Sequence, residues 1–106
     1  MHQLTVLYPA PDDPAAFVAY YESTHLPLAA QLPGLRSWHA STDIQPGPDG
    51  APAPYFAIFE AVFDSAEALR EAMASPVGQA VAADVPNYAS GGAVLIDFPI
   101  TGGSPS

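Results

Sequence analysis

Apolar and polar positions change period several times along the chain, and each change marks a new element. Residues 3–8, QLTVLY, alternate strictly, with Leu4, Val6 and Tyr8 on one face and Gln3, Thr5 and Leu7 on the other. Their β-forming side chains predict a first strand. Residues 9–14 read as a loop that ends in Asp13-Pro14, an N-cap followed by a proline suited to a first helical turn. Phe17, Tyr20, Tyr21 and Thr24 then recur at intervals of three and four, the period of one helix face. Leu26-Pro27 predicts a stop or kink, because proline lacks an amide donor and disfavours the α conformation in the residue before it. One further turn is expected over residues 28–32, ended by Pro33-Gly34.

Residues 35–43 read as a second strand whose alternation sends Trp38 and His39 to opposite faces. The proline-rich stretch 45–54, QPGPDGAPAP, is a surface loop. Residues 55–63, YFAIFEAVF, form the strongest strand, apolar on both faces except for Glu60. Asp64-Ser65 with Glu67 opens a helix whose apolar face holds Ala68, Leu69, Ala72 and Met73. Ser75-Pro76 interrupts it, a second run over 77–85 keeps Val77, Ala80, Val81 and Val85 at helical spacing, and Pro86-Asn87 stops that run. Residues 93–98, AVLIDF, are the last strand, and the small, polar tail over 101–106 is expected to be loose.

Strand, helix, strand, strand, interrupted helix, strand is the split β-α-β order of a ferredoxin-like α+β domain with a four-stranded antiparallel sheet. One such domain is expected over residues 1–100. Its helices can cover only one sheet face. Phe56, Ile58 and Val62 nevertheless oppose Tyr55, Ala57, Phe59 and Phe63 on the third strand, so the uncovered face is also too apolar to meet water. A homodimer joined sheet to sheet, closing an α/β barrel with the helices outside, would bury it.

Composition removes whole classes of function. With Cys 0 there is no disulfide framework, thiolate metal site or cysteine nucleophile. Lys+Arg 2 against Asp+Glu 11 gives a formal charge of -9, which repels nucleic acid and anionic membranes. Phosphate substrates would have only Arg36 and Arg70 to pair with, and Gly91-Gly92 lies between a helix and a strand, the reverse of the phosphate-binding order. No apolar run approaches the ~20 residues that span a bilayer. The first residues show no basic segment followed by an apolar one, so a cytoplasmic location is expected. Enrichment in alanine, proline and acidic residues fits a bacterial source of high GC content or salt tolerance.

His25 is the leading candidate for chemistry. At the expected helix end, partial negative charge would favour imidazolium, while burial among Phe17, Tyr21 and Leu28 would favour the neutral ring, and the two together could poise it near neutrality. The alternative is a core histidine bonded to a backbone carbonyl. Glu60 either reaches the rim of a barrel or is held inside by a donor, where its pKa would be raised. Trp38, Tyr55 and Tyr88 either line a pocket or fill the core. No three-residue metal constellation stands out, and haem would have His25 or His39 as axial ligand but two arginines for its propionates. No metal and no cofactor are therefore expected.

The opening LTVLY, the helix Phe17-x-x-Tyr20-Tyr21-x-x-x-His25-x-Pro27-Leu28, the LPGL turn, the strand ending in Phe63-Asp64-Ser65 and the segment Ser75-Pro76-x-Gly78-Gln79 together resemble the EthD family of dimeric α/β-barrel proteins. The resemblance spans nearly the whole chain. It implies a small homodimer with a pocket between helices and sheet in each subunit, and it matches His25 to a histidine that moves protons in related isomerases. Relatives include a component needed for alkyl ether degradation, and the wider superfamily holds muconolactone isomerases, polyketide cyclases, cofactor-free anthrone oxygenases and haem-degrading enzymes, so the fold transfers and the reaction does not. Two functions stand open. One is a cofactor-independent enzyme acting on a small apolar or aromatic substrate by isomerisation, cyclisation or anthrone-type oxygenation, with His25, Tyr21 and Glu60 catalytic and Phe17, Tyr20, Leu28, Trp38, Tyr55 and Tyr88 binding substrate. The other is a non-catalytic ligand-binding or accessory protein for a partner oxygenase in a degradation pathway.

Overall fold

The computed structural model describes residues 1–104. Strand β1 (His2–Tyr8) leads into helix α1 (Pro14–Tyr20), a π turn (Tyr21–His25) and helix α2 (Leu26–Ala29). Strands β2 (Ser37–Ser41) and β3 (Ala57–Phe63) come next, then helices α3 (Ala66–Ala74) and α4 (Pro76–Asp84), a 3₁₀ turn (Val85–Asn87) and strand β4 (Val94–Pro99). All strand pairs are antiparallel in the order β2-β3-β1-β4, the ferredoxin-like arrangement expected. The expected loose tail is described as far as Ser104, and its last two residues lie outside the described residues.

Register settles which side chains share a face. Leu4 lies opposite Ala61, Val6 opposite Phe59 and Tyr8 opposite Ala57, and all six are buried beneath the helices. Gln3, Thr5 and Leu7 pair with Val62, Glu60 and Ile58 on the other face. Phe17 and Tyr21 reach the covered face from the first helical segment, and the Phe17 ring meets Tyr8 edge-on at 5.4 Å and Phe56 at 5.1 Å. Burying an aromatic side chain of this size contributes about 1.5–3 kcal/mol, so this cluster anchors the helix to the sheet.

Caps divide the helices as their sequences suggest. Asp13 accepts a hydrogen bond from the Ala16 amide at 3.1 Å, and Ser65 from the Ala68 amide at 3.0 Å. Ser75 acts in both directions, accepting from the Gly78 amide at 3.1 Å and donating to the Ala72 carbonyl at 2.5 Å. It therefore ends α3 and starts α4 at one residue.

The expected break at Leu26-Pro27 does not occur. The chain stays helical from Pro14 to Ala29, and the Leu26 amide donates to the Tyr21 carbonyl, five residues back. A π turn holds one residue more than an α turn, and this wider turn carries the helix through the proline that an α ladder would accommodate poorly. His25 consequently lies inside a helical run rather than at its C-terminus. Strand β2 is also shorter than the expected 35–43, because Leu35 and Arg36 complete the preceding turn and pairing to β3 ends at Ser41.

Strand β4 is exposed along its whole length. Val94, Ile96 and Phe98 share the open face with Leu7, Thr5 and Gln3, while Leu95 and Asp97 face the helix side opposite Val6 and Leu4. The helices pack over the centre of the sheet and stop short of this edge.

Candidate functional site

The π turn brings His25 under the end of α4. Its Nδ1 lies 2.8 Å from Oδ2 of Asp84, and both side chains are buried. Asp84 accepts two further hydrogen bonds on Oδ1, from the Tyr20 hydroxyl at 2.5 Å and from Nδ2 of Asn87 at 3.0 Å. Three donors converge on one carboxylate. Burial alone would raise its pKa, but the hydrogen bonds from Tyr20, Asn87 and His25 outweigh burial and hold it below the ordinary aspartate value. Asp84 is thus an anion at neutral pH.

His25 is governed by the opposite balance. Burial pushes its pKa below the ordinary histidine value, and the bond to Asp84 recovers only part of that shift. The neutral ring must then place its proton on Nδ1, where the Asp84 anion accepts it. Nε2 keeps its lone pair and makes no hydrogen bond among the described residues. His25 also lines an apolar cavity of about 50 Å³ bounded by Leu4, Val6, Phe59, Val81 and Leu95 among others.

Four of the 5 tyrosines gather here. The Tyr88 ring lies 4.6 Å from the imidazole, and Tyr21 stacks on its other side at 5.6 Å and 11°. The Tyr8 and Tyr88 hydroxyls share a hydrogen bond of 2.8 Å. Burial pushes the phenols of Tyr8, Tyr21 and Tyr88 up, so they remain protonated donors. The Tyr21 hydroxyl is enclosed and has no hydrogen-bond partner among the described residues. An orphaned phenol beside an imidazole is a donor available to an incoming oxygen.

Of the residues singled out from the sequence, the structure brings His25, Tyr21, Tyr20, Phe17 and Tyr88 together, with Leu28 packed at the edge of the same core. It separates the other three. Glu60 lies on the open face of β3, opposite His39, where it accepts from Nε2 of Gln3 at 2.8 Å and sits 3.4 Å from Nε2 of His39. Strand alternation forbids it from reaching His25 through the sheet. Trp38 stacks on Phe59 at the β2 edge, and Tyr55 lines an outer groove with Ile44 and Pro54. Asp84 and Asn87 were not foreseen. The available signal was positional: the buried face of α4 runs Gly78, Val81, Asp84, so a carboxylate occupies a position that the period assigns to an apolar residue.

No group of three or more metal-ligating side chains occurs among the described residues. No helix among them is long and apolar enough to cross a membrane.

Comparison with known proteins agrees with this architecture. The model of the EthD domain family matches residues 11–92. An uncharacterised 11.0 kDa protein encoded between thcB and thcC in Rhodococcus erythropolis is 40% identical over 96 residues, 91% of each chain. The crystal structure of an ethyl tert-butyl ether D family protein from Bacillus halodurans superposes with a TM-score of 0.87 at 31% identity, covering 95% of this chain and 99% of that one. The fold alone is shared with a dimeric ferredoxin-like protein from Thermobifida fusca, at 20% identity, a TM-score of 0.71 and coverage of 93% and 90%. It is likewise shared with SnoaB, a cofactor-independent oxygenase from Streptomyces nogalater, at 17% identity, a TM-score of 0.68 and coverage of 99% and 97%.

Proposed function

Because this chain belongs to the EthD family, whose fold also carries a cofactor-independent oxygenase, we propose that it is a small enzyme moving a proton on an apolar or aromatic molecule bound between helices and sheet. One observation carries the reading: the His25 imidazole is neutral, oriented through Nδ1 by the Asp84 anion, and left with an unpartnered Nε2 beside an apolar cavity. A base of that kind can take a proton from a carbon next to a carbonyl or from a phenol. As Nε2 gains the proton, the imidazolium is stabilised by Asp84, whose charge is already set by Tyr20 and Asn87. The Tyr21 phenol, lacking any other partner, donates to the developing oxyanion. Phe17, Tyr20, Leu28 and Tyr88 shape the walls, and no cofactor takes part. Isomerisation, cyclisation and anthrone-type oxygenation all begin with such a step.

A homodimer formed through the open sheet faces belongs to the same proposal. Val94, Ile96 and Phe98 are exposed on that face beside the half-buried Leu7, Ile58 and Val62, a patch of the kind that marks an interface.

The test is proton exchange in deuterated buffer on a panel of enolisable ketones and hydroxylated polyaromatics, monitored by NMR. Wild-type protein should catalyse exchange, and His25→Ala should lower the rate by about 10²-fold or more with the fold retained by circular dichroism. The second reading, a non-catalytic binding or accessory protein for a partner oxygenase, draws support from the size of the cavity. About 50 Å³ is well below the ~300 Å³ or more of ordinary ligand pockets. Saturable binding of panel compounds with no exchange above buffer would favour it.

A further inference from the structure

Two exposed apolar side chains stand on the helix side of the sheet at its two opposite edges. Leu95, on β4, is 57% exposed although it faces the same side as Val6 and forms part of the wall of the His25 cavity. Trp38, on β2, is 38% exposed although it faces the same side as Ala61 and stacks on Phe59, another residue of that wall. The cavity therefore has an outer wall that is more water than protein, and nothing among the described residues covers it. The molecule also has 1 tryptophan, set at an edge strand where an indole is costly to leave in water.

We infer that a second copy of this chain completes the cavity, with β4 of one copy lying along β2 of the other and Trp38 of the second copy packing on Leu95. This rests on the proposed dimer and deepens it, because the partner contributes a residue to the wall beside His25. Antiparallel sheets stacked through their open faces bring edges together at both ends of the stack. A two-fold axis that sets β4 against β2 at one end does so at the other. Leu95 and Trp38 both point outward, to the helix side, so the pair would sit on the outside of the barrel seam and over the two cavities. The edge is suited to it: β4 has an unpaired backbone side, and six exposed residues with a single charge, Asp97, among them. Asp97 is itself drawn inward to Nε2 of His2 at 2.6 Å, which leaves the apolar side chains to dominate the strand. Each cavity would then be continuous, through Leu95, Trp38 and Phe59, with the core of the neighbouring copy.

The absence of cysteine makes the seam directly testable. W38C and L95C, prepared separately and mixed under mild oxidation, should yield a covalent dimer, and neither alone should do so at comparable yield. Within one chain the two positions are three strand spacings apart, roughly 14 Å, too far for an internal bond that needs Cα atoms within about 7 Å. The double variant should therefore also run as a covalent dimer. A protein that sediments as a dimer but gives no W38C–L95C bond overturns the seam and leaves the proton-transfer reading untouched. A dominant L95C–L95C bond overturns it too, placing β4 against β4. Tryptophan emission of the unmodified protein supplies a second readout. It should move to shorter wavelength as concentration rises through the dimer midpoint, and a solvated indole spectrum in the fully dimeric protein overturns the inference. Exchange activity is scored independently by His25→Ala, so failure of one proposal is not mistaken for failure of the other.

Discussion

His25 and Asp84, separated by 59 positions in the chain, meet through a 2.8 Å hydrogen bond between Nδ1 and Oδ2. The bond decides the tautomer, and hence which nitrogen is free. Asp84→Asn keeps the shape and removes the charge. Without the anion the only influence favouring the imidazolium is lost, so the His25 pKa should fall further below its ordinary value. Nitrogen chemical shifts of the ring should also show a changed tautomer population, and any exchange activity should drop by about 10²-fold or more. An unchanged histidine titration in the variant would remove Asp84 from the site.

Tyr21→Phe tests the orphaned phenol. A buried hydroxyl without a partner carries a desolvation cost that the ring alone does not, so its removal should raise stability by about 1 kcal/mol in urea unfolding. Activity or ligand affinity should fall at the same time. A gain in stability with no loss of function would make Tyr21 a packing residue.

The pH dependence of stability is set by the direction of the His25 shift. Its folded-state pKa lies below the unfolded value of 6.5, so above that value the ring is neutral in both states and its contribution is complete. As pH falls through about 6.5 the unfolded chain takes up the proton first, and stability declines until the folded-state pKa is passed, by at most about 1.4 kcal/mol per pH unit. Asp84 acts lower on the scale. Its pKa is depressed from 3.8, so its stabilisation is present above that value and disappears as pH falls through the folded-state pKa. Urea midpoints measured between pH 7 and 5 should fall in the wild type, and His25→Gln should flatten that slope.

Gly78→Ala probes the joint between α3 and α4. A Cβ there would meet the Ala72 carbonyl oxygen and lie 2.5 Å from the Met73 Cα, both backbone atoms that cannot swing aside. Overpacking of this kind should cost about 1–3 kcal/mol by urea unfolding. Because α4 carries Asp84, any displacement should also perturb the His25 titration, and a fully wild-type titration in the folded variant would uncouple joint from site.

Much of this fold was legible because it rests on local periods. The alternation in LTVLY assigned Leu4, Val6 and Tyr8 to one face, and the caps at Asp13, Ser65 and Ser75 marked helix starts. The opposite facing of Trp38 and His39 came from the same arithmetic. The site was legible only in part. His25 and its aromatic neighbours share one helix or stack on it, but the pairing with Asp84 depends on how α4 lies across the sheet, and no local period encodes that. Glu60 drew attention as a lone carboxylate in an apolar strand, and its partners Gln3 and His39 sit on neighbouring strands of the open face. The proline at 27 misled for a related reason. Propensity penalises it within an α ladder, whereas the chain answered with a turn of different size.

The same turn limits how the protein tolerates change. Between Tyr21 and His25 the composition of the segment matters less than its length, because Glu22, Ser23 and Thr24 are exposed and serve chiefly as spacers. Deleting any one of them would leave every reactive group in the chain intact. It would also remove the surplus residue that widens the turn, and the helix from His25 onward would rotate by about 100° relative to the helix that carries Tyr20. The imidazole and the Tyr20 hydroxyl, which now converge on one carboxylate, would address different sides of the helix. At this point the chain behaves as a counting device: its chemistry is preserved by conserving a number.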